Sequence, residues 1–123
     1  MFTLRLAFLA PAIADFLLAF LALYGATGLV DDSLLPRLQF ASAAFCWGIL
    51  LLVGLAQPIQ RAWILVPTAL VIGGIGVAYF AAFATGNISL LRLLLVAVLC
   101  ATMIWLCLAG AARASRMKQR ASR

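Results

Sequence analysis

Four long apolar runs dominate the sequence and constrain its fold more than any other feature. They cover about residues 4–30, 38–56, 62–84 and 89–112, and only short polar segments separate them. The hydrocarbon core of a bilayer is about 30 Å thick, and roughly 20 helical residues cross it. Because each run is close to that length or longer, the pattern predicts four transmembrane helices.

The composition favours lipid as the main solvent of this chain. Of its 123 residues, 67% are hydrophobic and 10% are charged, whereas a soluble domain has about 25% charged residues. Short connections place consecutive helices side by side. We therefore predict an all-α polytopic membrane protein, with an up-down four-helix bundle in residues 1–112 and a basic tail in residues 113–123.

Positive charge near the helix ends predicts the orientation of the bundle. If the tail is cytoplasmic, that side holds Arg5, Arg61 and the five Lys and Arg residues of the tail, which are seven of the nine in the chain. We therefore predict that both termini are cytoplasmic and that the protein is a multi-pass protein of a bacterial inner membrane. The tail is expected to contact anionic lipid headgroups, and it is too short to suggest nucleic-acid binding.

Several kinds of chemistry are disfavoured by missing residues. The chain has no histidine, which removes imidazole as a haem ligand or general base. Its three cysteines, Cys46, Cys100 and Cys107, lie in apolar runs without a CxxC pair, which argues against a thiol–disulfide oxidoreductase. We predict no metal site, no cofactor and no enzymatic activity.

Asp15 is the only acidic residue inside an apolar run. Counting inward from Val30 places it several Å inside the cytoplasmic boundary, at the depth expected for the entrance of the third helix. A carboxylate in a membrane helix is costly and suggests either a partner or a function. One interpretation is a proton or ion site, and the other is a structural ion pair with Arg61.

Arg37 and Arg92 stand near the amino ends of the two helices that run inward from the outer face. The helix dipole is positive there, so each cation requires an anionic neighbour. Asp31 and Asp32 can serve Arg37, whereas Arg92 has no acidic residue in its own loop. Anchoring to lipid headgroups and an outward site for an anionic ligand both account for the pair.

Further polar and aromatic residues are predicted in or near the outer half of the bundle. Polar side chains in membrane helices usually turn toward other helices. Together with the two arginines, they are candidates for a small outward cavity that binds a lipid-like or quinone-like molecule, although hydrogen bonding between helices explains them equally well. They are Tyr24, Gln39, Ser42, Trp47 and Tyr79.

The layout of four helices, with Arg37 opening the second and Phe45-Cys46-Trp47-Gly48 following it, resembles that of the small bacterial DoxX-like membrane proteins. The resemblance is one of topology and implies no site residues. Two functional hypotheses follow from the sequence. The first is a non-enzymatic membrane protein that associates with lipid, with a second copy, or with subunits of a larger complex. The alternative is a small transporter or ligand-binding protein that uses Asp15 or the outer arginines.

Overall fold

The computed structural model describes residues 2–24 and 34–121, including their side chains except those of residues 34–37. These residues form four α-helices and a short 3₁₀ turn, and no strand. In chain order the elements are α1 (Phe2–Leu23), α2 (Leu34–Ala56), the 3₁₀ turn (Ala62–Ile64), α3 (Leu65–Ala84) and α4 (Leu90–Ala121). The predicted all-α class with four long helices is confirmed.

The ends of two helices differ from the predicted ones. The first run was predicted to extend to Val30, and its part beyond Tyr24 lies outside the described residues. The fourth helix does not stop at Ala112 but continues to Ala121. Most of the predicted basic tail is therefore a helical extension of α4 and not a separate segment.

Each of the four helices is long and apolar enough to cross a membrane. Their apolar side chains point in all directions, and many large ones are exposed in the isolated chain. In the most apolar window of α4, only 11% of the residues are buried. Since a soluble protein rarely leaves so large an apolar surface in water, the bundle requires an apolar environment around it.

The start of α3 differs from a simple continuous helix. A proline bends a helix when it lies in an inner turn, because it lacks the backbone donor that such a turn requires. Here the 3₁₀ turn precedes the helix, and α3 begins at Leu65. Pro67 thus lies in the first turn of α3, where its missing N–H leaves no carbonyl of this helix unpaired.

The turn between α3 and α4 is specified by local chemistry. Gly86 has a φ of 76°, a left-handed conformation that glycine adopts without steric cost. The backbone N–H groups of Gly86 and Asn87 donate to the carbonyls of Phe83 and Ala82, both over 2.9 Å, which is the Schellman pattern of helix ends. The turn therefore stops α3 and reverses the chain into α4.

The helices pack as two hairpins that share one main contact. α1 packs closely on α2, and α3 packs closely on α4, as the short connections predict. The main contact between the hairpins is that of α1 with α4, whereas the described parts of α2 and α3 make no close backbone contact. In the chain, residues 57–64, which end in the 3₁₀ turn, connect these two consecutive helices.

The packed core lies at the end of the bundle where α1 begins and α4 ends, here called the terminal end. The core joins the first half of α1, the last part of α2, the first part of α3 and the last part of α4. Its fully buried large side chains include Leu4, Phe8, Leu51 and Leu65. A smaller cluster around Ala19, Ala22 and Ala41 joins α1 to α2 alone.

At the terminal end, α1 and α4 approach each other closely. A Cβ atom built on Gly110 would lie 2.7 Å from the Cβ of Ala7 and 3.1 Å from a methyl group of Leu65. Nearby, Pro11 cannot donate to the carbonyl of Ala7, and the Cys107 thiol donates to that carbonyl instead, at 4.0 Å. Glycine at position 110 thus permits the contact that joins the two hairpins.

We expect Gly110→Ala to destabilise the protein by about 1–3 kcal/mol, because the new methyl group overpacks a rigid contact. Gly73→Ala is the matched control, since a Cβ built there has no heavy atom within 4 Å. This control should be neutral or stabilising by up to about 1 kcal/mol through helix propensity. Thermal unfolding of both variants in mild detergent measures the difference. Equal stability of the two variants would contradict the close approach of α1 and α4.

Candidate functional site

A cavity of about 220 Å³ lies between α1, α3 and α4, next to the packed core. Its lining residues lie between Pro11 and Leu21 on α1, between Ile72 and Tyr79 on α3, and between Val96 and Met103 on α4. The cavity is present because the hairpins, which are tightly joined at the terminal end, separate beyond the contact of Ala7 with Gly110.

The exposed lining residues indicate that the mouth of the cavity lies between α1 and α4. The most exposed lining side chains are Leu17 on α1, with 57% of its surface exposed, and Leu99 on α4, with 53%. Both lie well inside the helices that are long enough to cross a membrane. The cavity therefore opens sideways, toward the lipid that would surround such helices, and not at the end of the bundle.

Asp15 is the charged residue of this otherwise apolar cavity. It lines the wall, and only 8% of its side-chain and backbone surface is exposed. Among the described residues, its buried carboxyl oxygen Oδ2 has no hydrogen-bond partner. A buried polar group without a partner costs about 1–3 kcal/mol, and such groups are rare enough in folded proteins to require an explanation.

Asp15 lies well inside the described part of α1. The predicted depth was counted from Val30, which lies outside the described residues, so that depth stays a prediction. Along the described helix, Phe2–Leu23, Asp15 is about 20 Å from the first residue and about 12 Å from the last. It therefore lies in the inner part of the candidate membrane span, where an uncompensated carboxylate is most costly.

The predicted ion pair of Asp15 with Arg61 does not form. The guanidinium of Arg61 donates from Nη1 to the carbonyl of Val53 at 2.9 Å, and Oδ2 of Asp15 has no described partner. Arg61 lies just before the 3₁₀ turn, and its guanidinium bonds back to the last part of α2. A pair with Arg61 therefore does not explain the carboxylate.

The structure does not bring the predicted outer set together in one cavity. Tyr79 is 5% exposed and lines the same cavity as Asp15. Tyr24 is 73% exposed, and its ring packs against Phe20 with centroids 4.7 Å apart. Because Tyr24 has no place in the cavity wall, only one of the two tyrosines belongs to the site.

The polar residues of α2 have other neighbours. Ser42 donates to the carbonyl of Gln39 at 2.9 Å and lines a separate open groove between α1 and α2. Trp47 donates from Nε1 to the Thr68 hydroxyl at 3.1 Å. These contacts are the hydrogen bonds within and between helices that the sequence offered as the alternative to a cavity.

Of the two outer arginines, the structure describes Arg92 and only the backbone of Arg37. The backbone N–H of Arg92 contacts the Ser89 hydroxyl at 3.4 Å, so Ser89 acts as a cap for the start of α4. The side chain of Arg37, and the residues Asp31 and Asp32, lie outside the described part of the chain. The anionic outer site stays a prediction.

Thr68 joins two helices and Cys100 lines the cavity, and the sequence predicted neither role. Thr68 is 1% exposed; it accepts from Trp47 and donates to the carbonyl of Ile64 at 2.7 Å, which connects α2 to α3. Cys100 lines the cavity on α4. Both residues lie in wholly apolar runs, and the sequence has no signal that shows which face of such a helix is internal.

The arrangement has features of a ligand-binding site. An apolar wall with a few polar groups is typical of ligand sites, and here the polar groups are the Asp15 carboxyl, the Tyr79 hydroxyl and the Cys100 thiol. Among the described residues, no three metal-ligating side chains form a cluster. The site offers a hydrogen-bonding anchor inside an apolar space.

We expect Asp15→Leu to leave stability unchanged or to raise it, because the change removes a buried oxygen that has no described partner. Thr68→Val is the matched control for a buried polar group that is paired. It should destabilise by about 1–3 kcal/mol, because the Trp47 N–H loses its acceptor. Thermal unfolding in mild detergent tests both changes. A large loss of stability in Asp15→Leu would show that the carboxylate is structural.

Comparison with protein-family models, with curated proteins and with solved structures found no match to this chain. The topological resemblance to DoxX-like proteins therefore stays a prediction. The site has to be interpreted from its own residues and geometry.

Proposed function

We propose that this chain is a small, non-enzymatic multi-pass protein of a bacterial inner membrane that binds a lipid-like apolar molecule in the cavity between α1, α3 and α4. One observation carries the proposal: the cavity contains a buried carboxylate whose Oδ2 has no described partner. A carboxylate inside a membrane helix lowers stability. When the described residues include no ion-pair partner for it, it is typical of a binding residue.

Membrane insertion is supported by the lengths and surfaces of the helices. All four are long and apolar enough to span a bilayer, and their exposed large side chains include Leu70, Val77, Leu95 and Val98, each more than 60% exposed. Lipid is the solvent that removes the cost of such surfaces. In that setting the cavity mouth at Leu17 and Leu99 faces the acyl chains of the bilayer.

The distribution of positive charge supports cytoplasmic termini and an anionic-lipid partner. α4 has 32 residues and is about 48 Å long, which exceeds the roughly 30 Å of the hydrocarbon core. Its last turns carry exposed Arg116, Lys118 and Arg120. Near a membrane surface each such charge contributes about 1 kcal/mol of attraction to anionic headgroups.

A second function, association with another membrane subunit or with a second copy, is favoured by an open face on α3. Cβ atoms built on Gly73 and Gly74 have no heavy atom within 4 Å, so these glycines pack against nothing in the described chain. Small residues at such positions permit close helix approach. Association and ligand binding are compatible, since Gly73 and Gly74 are not among the residues that line the Asp15 cavity.

The orientation predicts the behaviour of reporter fusions. An alkaline phosphatase domain, which is active only after export, should be active when fused after Gly86 and inactive when fused after Arg123. A cytoplasmic fluorescent reporter at the same positions should show the opposite pattern and serves as the control. Phosphatase activity at Arg123 would overturn the proposed orientation.

Filling the cavity should prevent ligand binding. Ala14→Leu adds an isopropyl group to the wall, and we expect it to reduce saturable binding of radiolabelled octan-1-ol to the protein in nanodiscs by about tenfold or more, a loss of about 1.4 kcal/mol. Ala81→Leu makes the same change on an exposed position of α3 outside the cavity wall. Equal binding by both variants would contradict a ligand site in this cavity.

A further inference from the structure

We propose that the cavity selects molecules with a cationic amine head, and that Asp15 is the residue that binds this head. The inference rests on the proposed function, because it assumes that the cavity holds a ligand. It adds the chemical class of that ligand, which combines an apolar body with a protonated nitrogen.

The described residues supply no cation to Asp15. The guanidinium of Arg61 is bound to the carbonyl of Val53, and that of Arg113 donates to the Thr3 hydroxyl at the terminal end. Arg5 is exposed. With Oδ2 also lacking a hydrogen-bond donor among the described residues, both the charge and the oxygen can accept a partner other than these residues.

A cationic amine suits Asp15 better than a neutral hydroxyl group does. A neutral alcohol can donate one hydrogen bond to a carboxylate, but it leaves the negative charge uncompensated in an apolar cavity. An alkylammonium group offers three N–H donors and a positive charge. Charge-assisted hydrogen bonds are about twice as strong as neutral ones, and the apolar wall reduces screening of the attraction. The amine therefore matches both requirements of Asp15.

The volume of the cavity and the position of its mouth limit which ligands can enter. An engineered apolar cavity of about 150 Å³ in another protein holds benzene, so a cavity of about 220 Å³ suits a molecule somewhat larger than one ring or a chain of similar volume. The mouth between Leu17 and Leu99 opens toward the bilayer. A ligand that is dissolved in lipid, such as a medium-chain alkylamine, can reach this mouth without crossing water.

The polar groups near the proposed head are consistent with this assignment. Tyr79 on α3 and Cys100 on α4 line the same cavity, and their neutral side chains add no competing positive charge. Cys107 is fully buried and donates to the carbonyl of Ala7. Asp15 is thus the acidic residue among those that line the wall.

The experiment compares two probes of equal chain length, octylammonium and octan-1-ol, on the full-length protein in phosphatidylcholine nanodiscs. Equilibrium binding of each radiolabelled probe is measured above the level of empty discs. We expect octylammonium to bind about 10- to 100-fold more tightly than octan-1-ol, the ratio that a hydrogen-bonded charge pair contributes. Asp15→Asn, which keeps the shape and removes the charge, should abolish this preference and leave octan-1-ol binding unchanged. Ser42→Ala, a polar change in the separate groove between α1 and α2, should retain the preference.

The outcomes distinguish a failure of the amine selectivity from a failure of ligand binding itself. If the wild-type protein binds both probes equally, the amine selectivity is wrong and ligand binding in the cavity stands. If neither probe binds above empty discs, both proposals are wrong. If octylammonium retains its advantage in Asp15→Asn, the cation is bound elsewhere and Asp15 is not its partner. The comparison of probes on the wild-type chain needs no variant, so it decides the selectivity even if Asp15→Asn does not fold.

Discussion

The close contact between α1 and α4 is the constraint on which the rest of this structure depends. α2 packs on α1, and α3 packs on α4, so the contact at Ala7 and Gly110 is the main connection between the two hairpins. A glycine is required because the nearest atoms belong to a short side chain that cannot move away. Beyond this point the helices are no longer held at such short distances, and the space between α1, α3 and α4 becomes a cavity. The same contact thus forms the core and sets the position of the site.

Some polar groups inside the bundle have hydrogen-bond partners, whereas the Oδ2 atom of Asp15 has none among the described residues. Thr68 accepts from Trp47 and donates to its own helix, and the Cys107 thiol occupies a carbonyl that Pro11 cannot serve. These bonds compensate for the lack of water inside an apolar bundle. Asp15 differs, because it is the most costly group of the set and its Oδ2 has no described partner. A fold that pairs its weaker polar groups and leaves a carboxyl oxygen unpaired keeps that oxygen available for another molecule.

The position of the cavity relates the proposed ligand to the membrane. On the proposed function, the mouth lies between two apolar spans, so the path to Asp15 leads from the acyl chains. Such a path favours ligands that partition into lipid over ions that approach from water. The proposal gives the exposed basic residues at the end of α4 a different place, the membrane surface, where they would contribute to anchoring and orientation. The proposed anchoring surface and the proposed binding site are thus separate parts of the bundle.

The sequence by itself determined that the chain forms four long helices, because the length of an apolar run and the need to satisfy its backbone are local properties. It also identified Asp15 and Tyr79 as unusual residues. It did not determine their surroundings: it grouped Tyr79 with Tyr24 and Ser42, and it offered Arg61 as a partner of Asp15. Helices that are apolar on every side carry little information about which face is internal. Only the tertiary structure decided that α1 packs on α4, that α2 meets α3 through the Trp47–Thr68 hydrogen bond, and that Asp15 faces a cavity. The physical reason is that burial and pairing depend on residues far apart in sequence, such as Ala7 and Gly110, whose contact no local pattern records.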